Sequence, residues 1–128
     1  MPEVDLLYDG HSLVTMKVDI HGNEVTHTFL VDTGFIAQTG YGLKLPLQLL
    51  TLAKVRGTGT VTTGDDREVT GSIIPDVKVL EVEGNKLPSP IFIPTILIGT
   101  ASYVVGVIFL QKCICHFDGP SRRLKMCF

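Results

Sequence analysis

At 128 residues, 45% of them hydrophobic, the chain is long enough to bury a core in one domain and short for two, so 1–128 is read as a single unit. Charged residues make up 19% and the formal net charge is -2, which leaves no basic excess to hold phosphate backbones; nucleic acid is excluded as an expected partner. The histidines, His11, His21, His27 and His116, share no metal-ligand spacing, and no serine stands in a Gly-x-Ser-x-Gly setting. No metal site is expected.

The first ten residues carry Glu3, Asp5 and Asp9 and no basic segment leading into an apolar one, so no signal peptide is read there. Gly, Pro, Asn and Asp then punctuate the chain at strand-sized intervals, and residues 13–20, 25–31, 55–63, 68–74 and 77–82 are predicted strands. His21-Gly22-Asn23-Glu24 predicts a hairpin turn, with Gly22-Asn23 taking the positive φ values. Residues 43–53 mix strand and helix periods, and Pro46 is placed to start a short helix over 47–54. Gly64-Asp65-Asp66-Arg67 predicts a second hairpin, residues 100–105 one or two helical turns, and Asp118-Gly119-Pro120 a turn between strands at 114–117 and 122–126.

Residues 87–111 contain no charge, and their length permits a membrane span. Pro88, Pro90, Pro94, Gly99 and Gly106 divide them into short, β-branched pieces, which is the pattern of buried strands, so no stable membrane insertion is expected. Cys113, Cys115 and Cys127 are an odd set crowded late in the chain; they suit a reducing, cytoplasmic compartment and read as buried thiols, since C-x-C without a second pair is a poor zinc signature. Cys115 and His116, as strand neighbours, point to opposite faces and do not make a nucleophile and its base.

Chemistry concentrates at Phe29-Leu30-Val31-Asp32-Thr33-Gly34, where an apolar run delivers a carboxylate, a hydroxyl and a glycine to a sharp turn. Alone, Asp-Thr-Gly is an ordinary turn tripeptide. A second apolar run ending in glycine, Ile96-Leu97-Ile98-Gly99, is not predicted by a bare hairpin.

On Val31-Asp32-Thr33-Gly34-Phe35, Leu45-Pro46, the hairpin at Gly64-Asp65-Asp66-Arg67 and Leu97-Ile98-Gly99, the chain resembles the retropepsin-like aspartic proteases, most closely their small microbial members, over nearly its whole length. The resemblance implies a mostly β, single-lobe acid-protease barrel with one or two short helices, active as a homodimer on a peptide or protein substrate, with no cofactor. The strand after the second run is expected to thread beside the Asp-Thr-Gly loop, with Gly99 allowing close approach and the apolar pair packing under the turn. Asp32, Thr33 and Gly34 fall at the catalytic positions. Phe35, a flap with Thr62, Thr63, Gly64 and Asp65, and Leu97, Ile98 and Gly99 fall at substrate-binding positions. Gly57, Gly59 and Gly71 are placed as hinges of the flap, although the same polar segment also suits a plain solvent-facing hairpin.

Hydrolysis in this class needs two carboxylates sharing a proton, and this chain has one Asp-Thr-Gly; Asp65, Asp66, Asp76 and Asp118 lack its flanks. The second carboxylate must come from another copy, with Asp32 and its mate on a two-fold axis. Thr33 then bonds either across that axis or to its own turn. The chain departs from retroviral relatives in carrying Phe35 for Ala, and Ile36 and Thr100 where they place an acid and an arginine. These departures leave open a non-catalytic β-barrel dimer that serves as a protein-interaction module. Apolar Met126, Cys127 and Phe128 place residues 124–128 in the dimer contact, with monomers expected on their deletion.

Overall fold

A computed structural model describes residues 3–7, 12–32, 41–62, 67–99 and 102–128. Its described elements, in order, are β1 (Glu3–Leu7), β2 (Leu13–Ile20), β3 (Asn23–Val31), β4 (Leu43–Leu45), a 3-10 turn (Leu47–Leu52), β5 (Gly57–Thr62), β6 (Glu68–Ile74), β7 (Lys78–Val82), β8 (Asn85–Phe92), β9 (Thr95–Leu97), β10 (Val104–Val105), α1 (Val107–Leu110), β11 (Ile114–Asp118) and β12 (Arg123–Cys127). They form a nine-stranded sheet in the order β5-β6-β9-β4-β10-β3-β2-β7-β8 and a three-stranded sheet in the order β1-β12-β11. The chain is mostly β, as its punctuation predicts.

Alternation sets the core. In β2, Val14, Met16, Val18 and Ile20 are buried while Leu13, Thr15, Lys17 and Asp19 face outward, the period of two that a half-buried strand requires. Phe29 and Val31 of β3 join the same cluster, with Leu43, Leu45, Val79, Val82, Ile93 and Phe109. Complete burial of side chains this size contributes about 1.5–3 kcal/mol each, which makes this cluster the main source of stability.

The β2–β3 turn lies one residue earlier than the sequence suggests. Ile20 pairs directly with Asn23, and the positive φ values fall on His21 (52°) and Gly22 (92°), as a two-residue hairpin twisted with its strands demands. His21 is fixed there from outside the turn: its Nδ1 accepts the Lys54 N–H at 2.8 Å, which places the ring proton on Nε2, and Nε2–H donates to the Pro75 carbonyl at 2.7 Å. Exchanging this ring for an apolar one of similar size, His21→Phe, should lower unfolding free energy by about 1–3 kcal/mol in denaturant titration, because two backbone groups lose their partner. An unchanged midpoint would show that water satisfies them.

Two other expectations shift. The segment after Pro46 is the 3-10 turn over Leu47–Leu52, whose first bond runs from the Leu49 N–H to the Pro46 carbonyl. Helix appears at Val107–Leu110, and Val104–Val105 is a strand, because its backbone is claimed by strands on both sides. Glu83-Gly84 makes a further two-residue hairpin, with φ of 50° and 77° and Val82 opposite Asn85. The uncharged stretch 87–111 is divided among β8, β9, β10 and α1. β8, with exposed Pro88 and Pro90, takes the sheet's outer edge, where a missing N–H is tolerated. Among the described residues, no helix is long and apolar enough to cross a membrane.

β12 is the central strand of the smaller sheet, paired with β1 from Glu3↔Cys127 to Leu7↔Arg123 and with β11 from Ile114↔Cys127 to Asp118↔Arg123. Leu124 and Met126 are buried. Deleting residues 126–128 therefore removes core and cross-strand bonds together, and is no clean probe of dimerisation.

Candidate active site

The apolar end of β3, Phe29-Leu30-Val31, delivers Asp32. Phe29 and Val31 are buried, and the next residue, Asp32, is exposed. The backbone around it is pinned at successive residues: the Leu30 N–H donates to the Tyr103 carbonyl at 2.9 Å, the Val31 N–H to Ser12 at 2.8 Å, and the Asp32 N–H to Val105 at 3.0 Å. Tyr103 also contributes its ring, stacked on His27 at 3.6 Å and edge-on to Phe29 at 5.4 Å. The carboxylate thus stands at the rim of a rigid strand end.

β10 supplies that rigidity. It is parallel to β3, with Val104↔Leu30 and Val105↔Val31, and antiparallel to β4, with Val104↔Lys44 and Val105↔Leu43. Gly106, next in sequence, donates its N–H to the Gly42 carbonyl at 2.9 Å and caps α1. Gly42 has no room for a side chain: a Cβ there would lie 2.5 Å from Ile93 Cγ2.

The strand after the second apolar run does thread beside Asp32, as expected, but the apolar pair and glycine that meet the carboxylate's strand are Val104-Val105-Gly106. Leu97, Ile98 and Gly99 lie elsewhere. β9 is parallel to β4, antiparallel to β6, and separated from β3 by β4 and β10. The Ile98 N–H bonds to Leu45, and the Gly99 carbonyl accepts the Leu47 N–H. Gly99 has a φ of 73° and open space where a Cβ would be, so it serves a turn and not a close approach. Both segments read apolar-apolar-glycine; the pairing partners distinguish them in the fold, and in the sequence the usable signal is the apolar run 107–110 directly after Gly106.

β5 and β6 form the expected hairpin, in register from Gly57↔Ile73 to Thr62↔Glu68. Val61, one pair before the last described pair of the hairpin, packs in a small cluster with Ile96, Ile98 and Val104, with Tyr41 against it. Thr62 is exposed at the last described position of β5. Thr63, Gly64 and Asp65, like Thr33, Gly34 and Phe35, lie outside the described residues. Gly71 is a fixed point of this hairpin, since a Cβ there would lie 2.6 Å from the Leu97 carbonyl oxygen. Gly71→Ala should lower stability by about 1–3 kcal/mol, read as a fall in Tm, because backbone and not a yielding side chain blocks it. A Tm equal to the parent's would mean that β6 and β9 separate freely. Tyr103 and Tyr41 are the site neighbours that the sequence does not reveal, and no periodic signal marks either.

Among the described residues, no group of three or more His, Cys, Asp or Glu is arranged to hold a metal ion. Cys113 is half-buried and Cys115 exposed, which corrects the reading of all three cysteines as buried thiols.

No protein-family model and no curated protein matches the chain. Its structure superposes on the crystal structure of a retropepsin-like aspartic protease from Rickettsia conorii with a TM-score of 0.56, over 98% of this chain and 89% of that one, at 17% sequence identity. The fold is retropepsin-like. In this retropepsin-like frame, Asp32 directly follows β3, β10 backs it, and Val61 near the turn end of the β5–β6 hairpin packs against Val104 of β10.

Proposed function

We propose that the protein is an aspartic endopeptidase whose active site forms between two copies of the chain, each contributing Asp32. One observation carries this reading: an exposed carboxylate stands just past a strand end whose Phe29 and Val31 are buried, and the N–H groups of Leu30, Val31 and Asp32 are all bonded to neighbouring backbone. Such a base fixes the backbone that carries the carboxylate. Two such carboxylates on a two-fold axis share a proton, because close like charges do not both ionise; the charged one takes a proton from water and the neutral one polarises the scissile carbonyl. The pair titrates as a unit.

Thr33 and Gly34 shape the turn that brings the copies together. Phe35 and the β5–β6 flap, with Thr62, Thr63, Gly64 and Asp65, cover the substrate. Leu97 and Ile98, buried within one copy, support the flap root from behind, and Gly99 turns the chain toward β10. The contact between copies extends to β11, an edge strand of the smaller sheet with Ile114 and Phe117 about three-fifths exposed (58% and 60%). The substrate is a peptide or protein, and the protein is assigned to the cytoplasm, without membrane insertion.

Cleavage of a diverse peptide library across about pH 3 to 8, by wild type and Asp32→Asn, tests the proposal. Acid-favoured cleavage absent from the variant is expected. A folded wild-type dimer that cleaves nothing would instead favour an interaction module built on the same fold.

A further inference from the structure

Cys113 and Cys115 sit at the junction between α1 and the smaller sheet. Their Sγ atoms are 3.6 Å apart, and both thiols donate to the same acceptor, the Leu110 carbonyl that ends α1, at 3.4 and 3.6 Å. Cys115 is exposed, whereas Cys113 is half-buried and packs against the core. Cys127 shares no thiol hydrogen bond with this pair among the described contacts: it lies opposite Ile114 in the ladder and donates to Glu3 Oε1 at 3.8 Å, while Cys115 lies opposite Met126, although the charge of Cys127 still acts on Cys113.

We infer that Cys113 and Cys115 form a reversible dithiol–disulfide site, oxidised by exchange with a low-molecular-weight disulfide. Closing the sulfurs from 3.6 Å to a bond of about 2.05 Å requires a side-chain rotation that the exposed Cys115 is free to make. The inference stands on this pair alone and does not depend on the protease reading.

The order of events follows from the two environments. Burial, reinforced by the hydrogen bond and charge of Cys115, pushes the Cys113 thiol up to about 12, so Cys113 is a poor first nucleophile. The Cys115 thiolate attacks one sulfur of the reagent; the reagent's S–S bond breaks, and one thiolate leaves and takes up a proton. Cys113 then loses its proton and attacks Cys115 Sγ, expelling the second reagent thiol. Two protein thiols are oxidised, and one disulfide is reduced to two thiols. Disulfide formation removes both S–H donors from the Leu110 carbonyl.

The test is incubation of the full chain with defined ratios of oxidised and reduced glutathione, followed by acid quench, thiol counting, intact mass and peptide mapping. Wild type should lose two thiols and two hydrogens, with no glutathione retained, and Cys127→Ser should do the same. Cys113→Ser should stop as a glutathione adduct on Cys115. A wild type that ends as that adduct, that pairs either residue with Cys127 or with a second chain, or that keeps all its thiols while folded by circular dichroism would overturn the inference.

Discussion

On the proposed shared-site mechanism, Asp32→Asn should leave the fold and its dimerisation intact and lower peptide cleavage by on the order of 10²–10⁴-fold or more, the range over which a positioned acid or base acts. The substitution is nearly isosteric. A bond from the backbone N–H to the Val105 carbonyl helps anchor this position, and asparagine keeps it. What changes is the proton inventory: an amide neither takes a proton from water nor passes one to the leaving amine. Because every site in a homodimer would carry the change twice, no intact dyad remains in the pure variant. Cleavage rates on one good peptide, with oligomeric state measured in parallel, decide the matter. Activity within about tenfold of wild type would remove Asp32 from the chemistry.

The largest expected loss of stability is at Phe109. Its side chain is 1% exposed on α1, and its ring meets Phe128 at 5.8 Å with a tilt of 42°. Phe109→Ala should cost about 3–5 kcal/mol, the sum of lost transfer free energy and the cavity left behind. Against a total of about 5–15 kcal/mol for a domain, this is a large fraction. The effect reaches the site through a short path, since Gly106 caps α1 and bonds to Gly42, and Val105 holds the Asp32 backbone. Denaturant unfolding with an unchanged m-value measures it, and a loss below about 1 kcal/mol would mean that the helix repacks around the gap.

Much of the fold is legible in the sequence, and for identifiable reasons. β2 and β3 announce themselves because Val14, Met16, Val18 and Ile20 alternate with outward residues, and Phe29-Leu30-Val31 ends abruptly at an acid. β6 is bounded by an acidic turn before it and a proline after it. The site's second half is harder to read. Val104-Val105-Gly106-Val107-Ile108-Phe109-Leu110 is apolar throughout and carries neither period, so strand and helix within it are decided by neighbours: β3 and β4 capture the first two residues, and the core takes Phe109. The same ambiguity makes Ile98-Gly99 resemble the segment that backs Asp32.

Cysteines illustrate the opposite limit. Composition suggests three sequestered thiols, but β12 is central in its sheet and β11 lies at the edge, and that order leaves Cys115 exposed. Strand order is a long-range property that local pattern does not carry. For the same reason the C-terminal residues, whose apolar character suggests a dimer contact, are largely occupied within their own chain.

Mixing experiments test the shared site most directly. Wild type and Asp32→Asn are combined at constant total chain concentration, allowed to exchange subunits, and assayed on one peptide. If each active site needs Asp32 from both copies, activity follows the square of the wild-type fraction, and an equal mixture retains about one quarter of the wild-type rate. A linear decline, with about half the rate at equal mixing, would show that each chain acts by itself, and about three quarters would show that one Asp32 suffices in a shared site; either would contradict the two-carboxylate account.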